Sequence, residues 1–282
     1  GMTIRRGGGG AAGVYAESSL VLSNCVITGC TNSGVYLVEG GTVQNCLISS
    51  NRSPDNAGGI GGASIVMADS QVVDNWCQNQ GGGVNAEDST FSNCLFEGNV
   101  ARLDGGGLLC NGGTIEGCTL RNNRADGSQG GGGAYLAGVI VEDCTIVGNV
   151  CSNISGQAEG GGLLLWNSLA LDCEVSGNYS AYGGGISCYD GVAISNCVIR
   201  YNHSNGSGGG VWMDHGGILR NSLIKDNIAN GYGGGVSLYY GGQVTDCQVL
   251  GNWGIRGGGI SSYHTGQVTR CVVAGNTASG SE

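Results

Sequence analysis

The sequence has very little proline, lysine and phenylalanine, with one, one and two residues of these types among 282. Charged residues make up only 11% of the chain, whereas hydrophobic residues make up 40%. A chain with this much apolar material can build a core, so we do not expect intrinsic disorder. The formal charge of -10 has the wrong sign for neutralising phosphates, which argues against nucleic acid as a partner.

Long hydrophobic runs are also missing. No stretch of 18 apolar residues occurs, and the first six residues lack the apolar segment of a signal peptide. We therefore expect no membrane insertion by this segment. The glycine ahead of Met2 is typical of tag removal. Residues 1–282 are predicted to form a single domain, either complete or a fragment of a longer surface protein that carries the export signal or anchor.

Glycine, in contrast, is abundant, with 60 residues, and it recurs at a regular period. Glycine triplets followed by an apolar residue are spaced by 23 to 29 residues, and weaker copies start near Gly13, Gly34 and Gly58. The clear triplets begin at Gly81, Gly105, Gly131, Gly160, Gly183, Gly208, Gly233 and Gly257. A period of this length indicates a repeat architecture in which each unit contacts only its neighbours.

Two further columns support this register. A cysteine or serine follows the last glycine of each repeat after 11 or 12 residues, at Cys25, Cys46, Ser70, Cys94, Cys118, Cys144, Cys173, Cys197, Ser222, Cys247 and Cys271. Five residues later the first repeat has Cys30, and the other ten have Asn51, Asn75, Asn99, Asn123, Asn149, Asn178, Asn202, Asn227, Asn252 and Asn276. Inward asparagines at a corner can bond backbone groups of the coils above and below, which predicts a buried ladder.

Each repeat contains three short stretches in which apolar and polar residues alternate with the period of a strand face. In the tenth repeat these are Val236 with Leu238, then Val244, then Cys247 with Val249. Glycine and Asx residues between them supply positive φ at sharp corners. The pattern predicts an all-β fold: a single-stranded right-handed parallel β-helix of about eleven coils with three short strands per coil, right-handed because parallel crossovers have that hand.

The fourteen cysteines predict neither disulfides nor a metal site. Nine of them stand in one column, where strand spacing keeps Cβ atoms about 4.8 Å apart, beyond the ~3.8 Å of a bridge. No CxxC pair occurs, so the zinc signature is missing. We expect the column to be reduced and buried, whereas Cys77 and Cys151 are predicted to lie on variable corners. The glycine runs lack the lysine of a phosphate loop, so no cofactor is expected.

Aromatic residues cluster in the last five repeats, at outward positions of the strand that follows the triplet. They are Trp166, Tyr189, Trp212, Tyr239 and Tyr263, here called the aromatic strip. The neighbouring outer column consists of Asn167, Asp190, His215, Tyr240 and His264. Rings that cover apolar sugar faces beside polar groups that bond hydroxyls are typical of carbohydrate-binding surfaces. The aromatic strip, with Tyr240 and His264, is therefore the predicted ligand-binding site, although aromatic residues also simply suit exposed strands.

The repeats GGGVSL, GGGISS, NCVITG, DCTIVGN and DCQVLGN resemble those of polymorphic outer-membrane proteins and related adhesin-like bacterial β-helix proteins. Repeats of that family combine a GG-apolar element with F-x-x-N, whereas this chain has cysteine five residues before the asparagine. The resemblance implies a protein that is secreted or displayed on the exterior of the bacterial outer membrane, often within a longer passenger. End-to-end or side-by-side association of such rods is a further expectation.

The segment from Val211 to His215 reads VWMDH and resembles the VWIDH element of pectate lyases, which are themselves right-handed β-helix enzymes. Those enzymes also use an R-x-P-x-x-R element, and the single proline here, Pro54, lies in a distant coil without the second arginine. Outward Asp190 and Asp214 on adjacent coils could serve glycoside hydrolysis as a carboxylate pair. The catalytic candidates are therefore Asp190, Asp214 and His215.

Three hypotheses of function are consistent with these observations. The first is an adhesin-like binding or scaffold protein with carbohydrate, or a host or cell-surface molecule, as its ligand. The rival is a polysaccharide lyase or glycoside hydrolase of the pectate-lyase-like type that works on the aromatic strip. The third is a purely structural spacer. Clustered carboxylates with an arginine or lysine over the strip would favour the enzyme, and an aromatic surface without them would favour binding.

Overall fold

The computed structural model describes residues 2–5, 12–127, 129–152 and 156–280. Within these ranges the regular elements are β-strands that pair in parallel from one coil to the next. They form three sheets along a right-handed solenoid of about eleven coils, so the predicted all-β parallel β-helix is confirmed. No helix in the described ranges is long and apolar enough to cross a membrane.

The three sheets are named here for the residues that precede their strands. The cysteine sheet has twelve strands, namely Thr3–Arg5, Val26–Thr28, Leu47–Ser49, Gln71–Val73, Leu95–Glu97, Thr119–Arg121, Thr145–Val147, Glu174–Ser176, Val198–Arg200, Leu223–Lys225, Gln248–Leu250 and Val272–Ala274. The asparagine sheet has ten, namely Arg52–Ser53, Trp76–Cys77, Val100–Ala101, Arg124–Ala125, Val150–Cys151, Tyr179–Ser180, His203–Ser204, Ile228–Tyr232, Trp253–Arg256 and Thr277–Ala278.

The triplet sheet is the largest, with nineteen strands. They are Val14–Ala16, Leu20–Ser23, Val35–Leu37, Gly41–Gln44, Ile60–Ala63, Ile65–Ala68, Val84–Ser92, Leu108–Glu116, Ala134–Glu142, Leu163–Trp166, Leu169–Leu171, Ile186–Cys188, Ala193–Ser195, Val211–Met213, Ile218–Arg220, Val236–Leu238, Gln243–Thr245, Ile260–Ser262 and Gln267–Thr269.

The division of each coil among the sheets differs from the sequence-based expectation. The first two strand signals of a repeat belong to the same sheet, and in three coils they fuse into single strands of nine residues such as Val84–Ser92. The third sheet comes from residues just after the ladder asparagine, the stretch in which Cys77 and Cys151 were predicted to lie on variable corners. Most of its strands are two residues long, as at Arg52–Ser53, which is too short for an alternating pattern to be visible.

The asparagine ladder is continuous from Asn51 to Asn276, and it is buried from Asn51 to Asn252, as predicted, while Asn276 in the last coil is half-buried. Asn202 is representative: its backbone N–H and its Nδ2 both donate to Oδ1 of Asn227 at 3.0 Å. Nδ2 also donates to the carbonyl of Val175 at 2.9 Å. In turn, Oδ1 of Asn202 accepts the same pair of bonds from Asn178. Each carboxamide therefore uses its donors and acceptor fully inside the coil, where an unpaired polar group would be costly.

The glycine triplet serves two distinct purposes. Only its first member needs positive φ, for example Gly208 at 66°. The third member is required by close approach: a Cβ atom at Gly210 would lie 2.7 Å from the carbonyl oxygen of Gly235 and 3.0 Å from Nδ2 of Asn227. The corner explanation drawn from the sequence therefore accounts for the first glycine alone, and the third is set by its close approach to the backbone of the next coil and to the ladder.

The cysteine column forms a second internal ladder. The thiol of Cys118 donates to the carbonyl of Glu116 at 3.3 Å, and the backbone N–H of Cys94 donates to that sulfur at 3.3 Å. Ser70 makes the equivalent bonds, to the carbonyl of Ala68 at 2.7 Å and from the N–H of Cys46 at 3.1 Å. A hydroxyl can replace the thiol because both groups are small, donate one hydrogen and accept another.

Two cysteines outside this column are placed differently from the expectation. Cys77 and Cys151, predicted on variable corners, are fully buried because they end strands of the asparagine sheet and point into the coil. Burial raises the pKa of both thiols to about 12, which keeps them neutral and unreactive at ordinary pH.

Replacing Asn202 with alanine should lower the free energy of unfolding by about 1 to 3 kcal/mol, because buried partners in both neighbouring coils lose a hydrogen bond. Arg200 in the same coil is the matched control, since its side chain is 43% exposed and pairs with Glu174 at the surface. Its alanine variant should lose little. Denaturant unfolding of the two variants measures the difference, and equal losses would contradict the structural role of the ladder.

Thiol labelling should separate the folded and unfolded states sharply. Of the fourteen cysteines, thirteen are buried and only Cys271 is partly exposed. The native protein should therefore react at about one thiol, and the denatured protein at all fourteen. Counting thiols without prior reduction provides the control. A deficit in the denatured count would reveal bridged cysteines and overturn the assignment of free thiols.

Candidate functional site

The predicted site lies on the triplet sheet in coils seven to eleven. Strand register aligns one outward residue from each coil, two positions after the triplet, at Leu164, Ser187, Trp212, Ser237 and Ser261. Two positions further along each strand comes a second line, which holds Trp166, Tyr189, Asp214, Tyr239 and Tyr263. The five rings of the aromatic strip are thus distributed over two adjacent columns, with Trp212 in the first and the other four in the second.

Neighbouring rings of the strip contact one another, as the register predicts. The ring centroids of Trp166 and Tyr189 are 4.0 Å apart with an interplanar angle of 2°, and those of Tyr239 and Tyr263 are 5.2 Å apart at 16°. Trp212 joins these two pairs, with centroids 6.0 Å from Tyr189 and 6.3 Å from Tyr239. Because the stacked rings cover each other's faces, these pairs present mainly their edges and polar atoms to solvent.

Trp212 is much less exposed than the sequence suggested. It points out of the coil, yet only 8% of its surface is accessible. The residues in register on either side are Ser187 and Ser237. Their small side chains leave room for the indole to pack close to the surface of the sheet. The rings of Tyr182, Tyr189 and Tyr239 then surround it, with the nearest centroid, that of Tyr182, at 5.1 Å.

The site is a groove and not a flat face. Its volume is about 460 Å³, and it is lined by Tyr182, Ser207, Trp212, Tyr232, Ser237, Tyr239, Ser261 and Tyr263. We call it the late groove. Trp212 and the two serines in its column form the floor, while the residues just before the triplets and the column of Tyr239 form the two walls. This volume lies within the range typical of small-ligand sites, about 300 to 1,000 Å³.

The outer column runs beside the groove and also stacks. The rings of His215 and Tyr240 are 5.2 Å apart, and those of Tyr240 and His264 are 4.4 Å apart with an interplanar angle of 9°. Tyr240 is 47% exposed. Tyr239 and Tyr240 contact edge to face at 4.5 Å, so the outer column extends the aromatic wall of the groove and is not a separate surface.

The catalytic candidates occupy unequal environments. Asp190 is exposed, whereas Asp214 is only 9% exposed and its Oδ2 lies 3.2 Å from Nδ1 of His215. Burial raises the pKa of Asp214, and the nearby His215 partly offsets this effect. Its Oδ1 is buried and makes no hydrogen bond within the described ranges. Asp214 and His215 are therefore brought together, with Asp214 largely buried, whereas His215 and Asp190 are both exposed.

In the part of the chain that the structure describes, neither Asp190 nor Asp214 forms an ion pair with an arginine, which a pectate-lyase-like site would be expected to provide. Arg52, from the segment around the single proline, packs over the ring of Trp76 at 4.5 Å in the asparagine sheet. Arg256 lies beside the groove wall, 5.7 Å from the ring centroid of Tyr232, and its guanidinium donates to the Tyr232 hydroxyl at 3.4 Å. No cluster of three or more potential metal ligands occurs in the described ranges.

Glu159 is a notable residue that the sequence reasoning missed. It immediately precedes a triplet, a place that the repeat pattern treated as variable, and it pairs in parallel with Tyr182 of the groove wall. The hydroxyl of Tyr189 donates to its Oε2 at 2.5 Å. The Tyr189 ring therefore spans from one wall to the other and closes the groove at coil seven. An acidic residue next to a glycine triplet was the only sequence signal available.

The titration of Glu159 provides a test of this closure. Burial, with a smaller contribution from the charge of Asp214, raises the pKa of Glu159 from 4.5 to about 7. The folded protein then retains a proton that the unfolded chain releases, so the free energy of unfolding should fall as pH rises from about 4.5 through about 7. The loss is at most about 3 kcal/mol, because one pKa unit corresponds to about 1.4 kcal/mol.

The variant Glu159→Gln keeps an acceptor for Tyr189 and cannot titrate. Denaturant unfolding across this pH range should therefore show a steeper loss of stability in the wild type than in the variant. Subtracting the two curves removes the contribution of other groups, including Asp214. Parallel curves would mean that Glu159 is solvated and does not close the groove.

A family model described as "Right handed beta helix region" matches residues 10–180 and again residues 83–253. The two matches overlap because a repeating chain fits the same family pattern in more than one register. No curated protein matches the chain. The matched ranges span most of the sequence, and the chain has the parallel three-sheet solenoid that the description names, so it belongs to the right-handed β-helix family.

Proposed function

We propose that this chain is an adhesin-like binding or scaffold segment of a bacterial protein that is secreted or displayed on the outer-membrane exterior, and that the late groove binds carbohydrate. The observation that carries the proposal is the groove itself, which has aromatic walls and a floor of Trp212 and serines. The β-helix fold is shared by adhesins and pectate-lyase-like enzymes, so the choice between them depends on the chemistry of this surface.

The polar atoms of the groove suit a ligand rich in hydroxyl groups. Ser237 and Ser261 line the floor, where Ser237 is 4% exposed and Ser261 is half-buried, so a ligand would reach these hydroxyls only from within the groove. Phenol groups of the wall tyrosines supply further donors and acceptors. Sugars combine apolar C–H patches with hydroxyls, and both are matched here by ring edges beside hydroxyl groups.

The distribution of charge favours binding over catalysis. The residues that line the late groove are uncharged. Asp214 is largely buried and paired with His215, and Asp190 lies in the exposed outer column. The nearby cation, Arg256, is held by Tyr232 at the rim. A hydrolase needs two carboxylates that flank the scissile bond, and this groove does not offer them along its lining.

The adhesin-like assignment has separate support in the repeats. Their GGG-apolar and NC-apolar elements resemble those of polymorphic outer-membrane proteins. A rod of parallel coils presents a long, regular face, which suits contact with an extended partner at a cell surface. Weak individual contacts spread along such a face are sufficient for retention if several are made at once.

Removing two wall rings, the half-buried Tyr239 and the exposed Tyr263, should weaken glycan binding without unfolding the rod. In the double variant Tyr239→Ala and Tyr263→Ala, the loss of about 1 kcal/mol for each ring contact should reduce affinity roughly 30-fold. Retention on a glycan array, followed by titration with the best glycan, measures the effect. Tyr201→Ala is the matched control, because this tyrosine is 56% exposed and lies outside the groove.

Two results would overturn the proposal. Failure of the folded wild type to retain any glycan on the array would leave the structural spacer as the surviving reading. Release of products from polygalacturonate or another polysaccharide, abolished in a double variant with Asp190→Asn and Asp214→Asn, would establish the enzyme. Melting temperatures of all variants verify that a loss of binding is not a loss of fold.

A further inference from the structure

The column that forms the floor of the late groove continues along the rod into the first coils. Its members in coils two to four are Tyr36, Gly61 and Asn85. Register then continues through Leu109, Tyr135 and Leu164 to Ser187 and Trp212. The two ends of the column are therefore on one face of the molecule and along one line parallel to the rod axis.

A second groove lies over the early part of this line. Its volume of about 210 Å³ is below the range of whole small-ligand sites, about 300 to 1,000 Å³, so it holds only part of a ligand, and it uses the same three columns as the late groove. Tyr36, Gly61 and Asn85 form the floor, Ala63 and Glu87 belong to the wall four residues after the triplet, and Asn56 and Ala57 precede the triplet on the other side. We call it the early groove. A larger hollow of about 460 Å³ adjoins it and shares Tyr36 and Asn56.

Gly61 keeps the early groove open. A Cβ atom at this position would lie 2.8 Å from Cβ of Ala57 and 3.0 Å from the Tyr36 ring. Any other residue would displace the ring or fill the hollow. Gly61 has no positive φ, so backbone strain does not explain the glycine, and the close approach of Ala57 and the Tyr36 ring does. On the other side, Tyr36 stacks with Tyr15 at a centroid distance of 6.1 Å and an angle of 9°.

The same column is filled between the grooves. Leu109 and Leu164 are 6% and 1% exposed, and Tyr135 is half-buried, with its pKa raised by that burial. The side chains of this stretch are largely buried and mostly apolar, and none of the residues in the floor column is charged. A chain that leaves the late groove passes over the bridge between Tyr189 and Glu159 at coil seven, and then over this stretch without meeting a charged side chain on the floor.

The chemistry of the early groove restricts the ligand. Its polar residues include the carboxamides of Asn56 and Asn85 and the exposed carboxylate of Glu87, and its lining includes no lysine or arginine. An acidic polymer would be repelled by Glu87 and by the net charge of -10. Carboxamides and tyrosines instead suit hydroxyl groups, as the serines and tyrosines of the late groove do.

From these observations we infer that the early groove is a second binding site for the same ligand, and that the ligand is a neutral, linear, hydroxyl-rich glycan that occupies both grooves at once. This inference rests on the proposed function of the late groove. Gly61 and Ser237 are seven coils apart, or about 34 Å at roughly 4.8 Å per coil. A glycan long enough to bridge them gains affinity because its second contact is intramolecular.

Chain length and groove-blocking substitutions test the inference together. The probes are linear neutral gluco-, manno- and xylo-oligosaccharides of four and of twelve units, with oligogalacturonates of the same lengths for comparison. Asn85→Trp blocks the early groove, and Ser261→Trp blocks the late groove. Glu87→Trp, at an exposed wall position, is a second block of the early groove should the first variant fold poorly. Gln71→Trp and Gln248→Trp, at exposed positions of the cysteine sheet, are matched controls.

Isothermal titration of the wild type should give two sites for the neutral tetramer, and the dodecamer should bind at least 100-fold more tightly than the tetramer. Either blocking variant should retain one tetramer site and lose most of that gain in affinity, whereas the controls should behave as the wild type.

A single tetramer site in the wild type, with binding unchanged in Asn85→Trp and Glu87→Trp, would overturn the second site and leave the proposal for the late groove intact. Tighter binding of oligogalacturonates would overturn the neutral ligand. Absence of binding by every probe would instead count against the proposed function itself.

Discussion

Contact between the third glycine of each triplet and the ladder asparagine of the same coil is the constraint on which the rod depends. At Gly185 a Cβ atom would lie 3.0 Å from Nδ2 of Asn202, so the backbone and the carboxamide can be this close only at glycine. The carboxamide is thereby fixed in the plane where it bonds the coils on both sides. Glycine and asparagine therefore repeat together in ten coils, and in the first coil the same glycine position, Gly13, contacts Cys30 instead.

Because the interior of the coil is fixed, the side chains at outward positions can differ in chemistry while the positions themselves keep the same register. Ion pairs such as Arg121 with Glu97 and Arg200 with Glu174 link neighbouring coils across the cysteine sheet. The triplet sheet carries rings and hydroxyls along its late coils instead. One face of the solenoid therefore carries surface charge pairs, and another presents the uncharged late groove, although both are built on the same repeat.

Much of this architecture could be predicted because the same residue pattern recurs in every repeat, so a strand position that is ambiguous in one copy is fixed by the others. The period of the triplets, the cysteine column and the asparagine column each report the same register, so the parallel pairing followed from counting residues. The two-residue strands of the asparagine sheet escaped prediction because a pattern needs more than two positions. The sequence also showed which rings share a face, but not that Trp166 and Tyr189 cover each other or that Trp212 lies low between serines, since side-chain packing depends on neighbours a whole coil away.

Glu159 illustrates the same limit at the site. Its carboxyl group is unremarkable in sequence, and it becomes important only because Tyr189, 30 residues later, reaches back across the groove to it. The candidate carboxylates Asp190 and Asp214 were found from their spacing, whereas their unequal burial depends on the rings packed around them. Residue type and register can be read from a repeat, but solvation of a particular group cannot.

The asparagine ladder also gives the rod a discrete unit of length. Each rung bonds to an identical rung, for example Asn178 to Asn202 and Asn202 to Asn227. Excision or duplication of one whole coil would thus bring matching rungs back into contact, whereas loss of part of a coil would leave a carboxamide facing the wrong group. Distances between surface features on such a rod can change only in steps of one coil, about 4.8 Å. The spacing of the internal hydrogen bonds thus determines which distances between surface features the rod can adopt.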